Sequence, residues 1–423
     1  MTTTMKSLIG KRELILFGLL LLAIVVVFGL FGSAYGTRML VEIACYAIIA
    51  LGLSIQWGYA GQFNAGVMGF VALGGFFAMF FSMPINDDFW GSDLPGQLGG
   101  VFLRIAIGLA LIYGASKLNR FGLSPKLRTV VTVLVAIVVY FWIKSNMVPV
   151  TQAIERDADF IGGLGLPPWS GWIVGGMVAG FVGYFIGRIC LGLRSDYLAI
   201  ATLGCAEIIK AFLKNEDWLT RGIATVSPLP WPVPQPIDVG FVAARAMYFS
   251  VTAVMIMAIY FLLHRAYHAP WGRMIRAIRD NEISASAMGK DVNKRSLEIF
   301  VLGCFLMGLG GATLGTFNGL FDPSGYVPLN HTFLVLVMVI LGGPGNNTGT
   351  IIGAAVVYII WIMSEPLALW ILQVVTSAGD AEAQANLASR ALQARVFSIG
   401  LLIVLVLRYA PKGLLPEKIQ QHN

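Results

Sequence analysis

The chain has 423 residues and a formal charge of +7, with 57% hydrophobic and 12% charged residues. Mean hydropathy is +0.77. A soluble globular domain carries roughly 25% charged residues, so this chain lacks the charge to clothe a water-facing surface, and its 49 glycines suit helices that pack closely in lipid.

Taken in order, Lys11 and Arg12 precede an apolar run over 14–31, and Ser33-Ala34 follows. That run exceeds the apolar core of a secretory signal, about 7–15 residues. At about 1.5 Å per residue it is long enough to cross a bilayer. A retained first helix is therefore expected. Further apolar runs cover 40–57, 63–83, 98–115, 130–143, 169–187 and 197–213. Then come 247–263, 297–315, 332–341, 351–363 and 396–407. The pattern predicts an all-α polytopic transmembrane helical bundle of about twelve membrane segments, a single domain over 1–423. The 332–341 run is short and reads as a half-helix, which is tolerated where it lines a cavity inside the protein.

Charge sets the orientation. Lys6, Lys11, Arg12, Arg408, Lys412 and Lys418 make both ends basic. Lys117, Arg120, Lys126, Arg128, Arg188 and Arg194 fall on the same side, as does the densest basic loop, 265–295. The other side holds 86–96, with Asp87, Asp88 and Asp93 and no basic residue, and the Pro-rich 227–236. The positive-inside pattern thus gives N-in and C-in. Because the basic residues sit in short loops, they indicate a membrane-lipid surface and no nucleic-acid partner. The polar stretch 378–395 reads as a short solvated helix on the outer face, with no chemistry attached.

Cys45, Cys190, Cys205 and Cys304 lie in or beside apolar runs without C-x-x-C spacing, as packing thiols do. His264 and His268 have i,i+4 ligand spacing but no third ligand nearby, so no metal is expected. Residues 342–350 are glycine-rich, yet lack the Lys a phosphate-binding loop needs. Any ATP must be bound by a partner chain, and no cofactor is expected here.

Two features point to a conduit. Gly58, Gly61, Gly66 and Gly69 interrupt one hairpin, and Gly342, Gly343, Gly345 and Gly349 another. Broken helices expose backbone groups at depth, although such glycines also serve close packing. Glu207 and Lys210 stand i,i+3 within a membrane-length run. They read either as a structural ion pair or as functional groups at depth.

The loop 265–295 is the most informative segment. Over 271–289 it reads as one amphipathic helix, with Ile275, Ile278, Ala285 and Met288 on one side and Arg273, Arg276 and Asp280 around the other. A basic amphipathic helix can simply lie on an anionic leaflet. The small residues Ala277, Ser284, Ala285, Ser286, Ala287 and Gly289 allow close approach by a partner, which lipid does not require.

The run from Gly272 to Gly289 resembles the cytoplasmic loop of branched-chain amino acid ABC permeases. Four further segments resemble the same family. They are Gly58-Tyr59-Ala60-Gly61-Gln62, the stretch 193–204 with Glu207 after it, the glycine break Gly342-Gly343-Pro344-Gly345, and 408–415 with its Arg-x-x-Pro-x-Gly-Leu. The resemblance covers 38–85 and 162–415, which makes 86–161, with its two extra spans, an insertion. A turn of the Thr-x-Gly-x-x-Gly kind keeps only its first half here, at Thr220 and Gly222.

The resemblance implies an ABC importer permease subunit in the bacterial inner membrane, without a catalytic site of its own. It implies a second related permease subunit, two cytoplasmic ATP-binding subunits and an extracytoplasmic substrate-binding protein as partners. The cargo would be branched-chain or similar amino acids. It also implies an ATPase-coupling segment of Gly272, Arg273, Arg276, Ala277, Ile278, Arg279, Asp280, Glu282, Ala285, Ala287, Met288 and Gly289. Glu282 stands one place early relative to the importer signature, whereas Ala285 and Gly289 keep its spacing. A translocation path is expected near Gly58, Tyr59, Gly61, Gln62, Asn64, Tyr197, Thr202, Glu207, Gly342, Gly343 and Gly345. Alternative readings are a related importer of urea or short amides and an ion-driven secondary transporter. The latter ordinarily needs more ionisable groups at the midplane than this chain offers. A membrane enzyme would need a convergent acid/base or metal cluster, which the sequence does not display.

Overall fold

Every one of the twelve apolar runs lies on a helix in the computed structural model, which describes residues 11–117, 124–376, 393–410 and 413–416. In chain order these are α1 (Lys11–Phe31), α2 (Ser33–Ser54) with a π-turn over Ile55–Tyr59, α3 (Val67–Ser82), a one-turn α4 (Asp87–Trp90), α5 (Leu94–Ser116) and α6 (Pro125–Asp157). Next are α7 (Pro168–Cys190), α8 (Ser195–Asn215), the short α9 (Asp217–Thr220) and α10 (Pro236–Val239), and α11 (Phe241–His268). The chain continues with α12 (Pro270–Asp280), α13 (Glu282–Ala287), α14 (Val292–Asn318), a π-turn over Leu329–Phe333 leading into α15 (Leu334–Gly342), α16 (Asn347–Thr376) and α17 (Ala394–Tyr409).

Among the described residues, eight helices are long and apolar enough to cross a membrane, rather than about twelve. The difference has physical causes. The third run loses its first residues to an irregular turn and leaves the 16-residue α3, and the tenth is the short α15, as its length foretold. α17 has 16 residues. α8 is long enough but carries Asp196, Glu207, Lys210 and Lys214. The polar stretch 378–395 lies outside the described residues except for its last three positions, which begin the final helix.

Lipid tails compete with apolar side chains, so packing between membrane helices depends on how closely their backbones approach. The core is built accordingly. The span through α2 is 94% buried and that through α14 is 72% buried, while the α1 span is 6% buried. Glycines line the α14 surface where α2, α3 and α7 cross it. A methyl group at Gly310 would press on Ile49 of α2, one at Gly311 on Val71 of α3, and one at Gly308 on Ala179 of α7. α7 answers with Gly171, Gly175, Gly176, Gly180, Gly183 and Gly187, close against α3 and α14. At the opposite end from the basic loop, a buried charge ties α2 to α16. Glu42 accepts from Arg38 at 3.1 Å and from the Tyr358 hydroxyl at 2.6 Å.

Residues 86–161 stand apart. α5 and α6 pack chiefly on each other, and Phe89, Leu94, Leu98, Ile154, Ala158, Ile161 and Trp218 form an apolar cluster separate from the main core. Asn86 holds the hairpin shut by donating its amide to the carbonyls of Ala158 and Phe160, both at 2.8 Å.

The basic loop differs from the single helix expected over 271–289. Asn281 leaves helical geometry at φ −157° and ψ 102°, ending α12 and capping α13 by accepting from the Ser284 amide at 2.9 Å. Asn is a weak helix-interior residue and a strong N-cap, so it divides the segment in two. Ile275, Ile278 and Ala285 are buried as the amphipathic pattern foretold. Met288 is 69% exposed, because α13 ends at Ala287 and the apolar register stops there.

Candidate functional site

The two glycine-rich interruptions meet at the end of the bundle that carries the basic loop. α2 runs into the π-turn over Ile55–Tyr59, and the chain then passes through irregular backbone to Gly66 before α3 begins. Gly61 sits at φ +69°, a conformation that favours glycine. The second interruption, Gly343 to Asn346, separates α15 from α16. Gly58 lies against it so closely that a methyl group there would overlap the Gly345 backbone nitrogen. The Tyr59 hydroxyl donates to Asn347 Oδ1 at 2.7 Å, tying the first break to the start of α16.

The chain terminus closes the same junction. The Leu414 amide donates to the Leu341 carbonyl at 2.7 Å, and the Leu415 amide to the Gly342 carbonyl at 3.2 Å. Pro411 and Lys412 of the terminal segment lie outside the described residues.

Deeper in the bundle, a polar thread satisfies the backbone that the first break frees. The Gln56 amide donates to the Phe300 carbonyl at 2.7 Å, and the Asn64 amide to Gln56 Oε1 at 2.9 Å. Asn64 Oδ1 accepts from the Gly66 amide at 2.8 Å. Thr202 of α8 accepts from the Ala65 amide at 3.1 Å, and Thr332 accepts from the Met68 amide at 3.2 Å. Gln62 donates to the Ser296 carbonyl at 2.9 Å while its own Oε1 is buried without a partner. Unsatisfied polar groups at membrane depth are costly, so this thread fixes an irregular backbone where lipid would reject it.

The basic loop is attached directly to this junction. The Arg279 guanidinium reaches from α12 to donate to the Gly58 carbonyl at 2.5 Å, and its Cγ lies beside Gly61. The Tyr267 ring stands 4.9 Å from the Tyr59 ring, and Arg276 lies 4.0 Å over the other ring, Tyr267. Trp271 and Arg295 both reach Glu298 near the start of α14, at 3.3 and 2.8 Å. Gly272 is buried where α12 folds back on the last carbonyls of α11, and a methyl group there would strike the Tyr267 carbonyl oxygen.

The opposite face of the loop is open. Arg273, Ala277, Asp280, Glu282, Ala287 and Gly289 are exposed, and Ile283 at 83% exposure stands with Met288 among them. Gly289 has φ +74° and open space around it.

The expected path residues fall into two groups. Gly58, Tyr59, Gly61, Gln62, Asn64, Thr202, Gly342, Gly343 and Gly345 converge on the junction and its polar thread. Tyr197 and Glu207 do not: both are exposed on α8. Glu207 and Lys210 form no ion pair with each other, so the structural-pair reading fails. Sequence reading missed Gln56, Asn347, Tyr267 and Thr332. For Gln56 and Asn347 the available signal was a polar side chain at the edge of an apolar run.

The family model described as "branched-chain amino acid transport system / permease component" matches residues 97–407, well over half of the chain. The chain belongs to that permease family. Among curated relatives it is 27% identical over 210 residues to the high-affinity branched-chain amino acid transport system permease protein LivM of Escherichia coli K12, covering 45% of this chain and 49% of that protein. It is 23% identical over 340 residues to the probable branched-chain amino acid transport permease protein LivM of Methanocaldococcus jannaschii, covering 75% and 91%. It is 24% identical over 270 residues to the corresponding LivH protein of Salmonella typhimurium, covering 61% and 80%. The alignments span about half the length of the two enterobacterial LivM proteins. No solved structure matches. The matched span of this permease takes in α5 and α6, α12, α13 and the second break, and begins after the first break.

Proposed function

We propose that the chain is the membrane-spanning permease subunit of an ABC importer that carries branched-chain or similar amino acids across the bacterial inner membrane. In this reading the exposed face of α12 and α13 docks on a cytoplasmic ATP-binding subunit, one of two. A second, related permease subunit completes the path, and an extracytoplasmic binding protein delivers the cargo. In this reading the positive-inside pattern puts the start of α1 and the end of α17 on the cytoplasmic side.

The observation that carries the reading is the bond from Arg279 to the Gly58 carbonyl. A loop that merely rested on lipid would have no reason to hold a buried helix break. This loop presents small side chains with Ile283 and Met288 outward and is anchored inward to the backbone that interrupts α2. Movement imposed on its outer face is therefore transmitted to the π-turn, and through Tyr59 and Asn347 to α16. The proposed device is alternating access driven from outside the chain.

The test is reconstitution with the partner subunits in vesicles. Uptake of leucine that requires ATP and the loaded binding protein, and is not competed by urea, supports the reading. Uptake by this chain alone in the absence of ATP would refute it.

A further inference from the structure

α8 is a membrane-length helix with one face uncovered among the described residues. At about 1.5 Å per residue, its 21 residues reach across a ~30 Å hydrocarbon layer. Leu198, Thr202, Ala206 and Leu213 are buried, packing α8 chiefly on α3. Ile200, Gly204, Glu207 and Ile208 are exposed, and nothing lies within 4 Å of where a Gly204 side chain would start. Glu207 sits near the middle of the helix and Lys210 one turn on, and neither makes a hydrogen bond or ion pair among the described residues. His331, in the π-turn that packs on α3 as α8 does, stands between the rings of Tyr46 and Tyr326, at 6.3 and 5.2 Å, with Nδ1 buried and unpartnered among the described residues.

Ionisable groups at such depth avoid lipid and mark substrate or ion pathways. Opposite charges one helical turn apart ordinarily pair. These two stay separate, each left for a counter-charge supplied from outside. An α-amino acid supplies both in one small molecule, and Gly204 leaves room for it.

We infer that the open face of α8 is this subunit's wall of the translocation path and holds a zwitterionic α-amino acid in transit. Glu207 takes the ammonium group and Lys210 takes the carboxylate. The inference rests on the importer reading above and places the cargo on a named surface within it.

The experiment uses the assembled complex in vesicles with saturating leucine-loaded binding protein. Glu207→Gln and Lys210→Gln should each lower the maximal rate of leucine uptake at least tenfold with subunit composition intact. In a Cys205→Ser background, Glu207→Cys should react with a charged, membrane-impermeant methanethiosulfonate, and leucine in transit should slow that reaction. Unchanged uptake with no labelling would put α8 against lipid and overturn the inference. Loss of subunit assembly in both Gln variants would overturn it in favour of an intersubunit ion pair. If the wild-type complex itself failed to import leucine in the same vesicles, the importer reading would fall as well.

Discussion

The Arg279 guanidinium donates to the carbonyl of Gly58, 2.5 Å away and 221 positions earlier in the chain. A charge-assisted bond of this kind contributes about 1.5–3 kcal/mol, and here it joins a surface loop to an interrupted membrane helix. Arg279→Ala should lower ATP-driven uptake at least tenfold in the reconstituted complex while ATP hydrolysis continues. Arg279→Lys should be intermediate, because a compact point charge lacks the planar guanidinium that reaches the Gly58 carbonyl. Uptake and hydrolysis measured on the same vesicles check both.

The two helix breaks touch backbone to backbone. Gly58→Ala would drive a methyl group into the Gly345 nitrogen, and the backbone there has no flexible side chain to yield. Overpacking of this sort costs about 1–3 kcal/mol. The expected result is a lower thermal midpoint in detergent and a lower yield of assembled complex. Gly204→Ala, with open space around it, should leave the midpoint unchanged.

Tyr59→Phe removes the 2.7 Å bond to Asn347 and leaves that amide oxygen short of a donor in a buried site. An orphaned buried polar group costs about 1–3 kcal/mol. Midpoint depression should therefore accompany Tyr59→Phe. Tyr59→Phe combined with Asn347→Leu should recover part of it, which a double-mutant cycle reads directly.

Gly289 separates two effects. Its φ of +74° disfavours a side chain, yet the space around it is open. Gly289→Asn tolerates the left-handed geometry and should retain most transport. Gly289→Arg adds bulk and charge to the exposed face proposed to dock, and should uncouple ATP hydrolysis from uptake. Equal transport by the two variants would show that the outer face makes no close contact.

Much of this was legible in the sequence because membrane helices announce themselves by length and apolarity. Each of the twelve runs falls on a helix, the third only from Val67, and the glycine clusters marked both breaks. Periodicity located Ile275, Ile278 and Ala285 correctly on a buried face but carried the helix through Asn281, since hydrophobic spacing alone does not register a cap. Met288 was misplaced for the same reason. The convergence of Gly58, Gly345 and Leu415 was not legible from periodicity, because it joins segments far apart in the chain and depends on close backbone packing. Glu207 and Lys210 were singled out by depth and spacing, yet only the fold shows them on an open face and unpaired among the described residues.

In the proposed importer, the α12–α13 face grips an ATP-binding subunit on the cytoplasmic side. Cysteine placed at Ile283, the most exposed apolar residue of that face, tests it in the assembled complex. The expected result is a short-range cross-link to the ATP-binding subunit that a membrane-impermeant reagent added outside sealed vesicles cannot block when that subunit is enclosed within them. A residue 283 that never cross-links to that subunit, or that reacts only from the extracytoplasmic side, would contradict it.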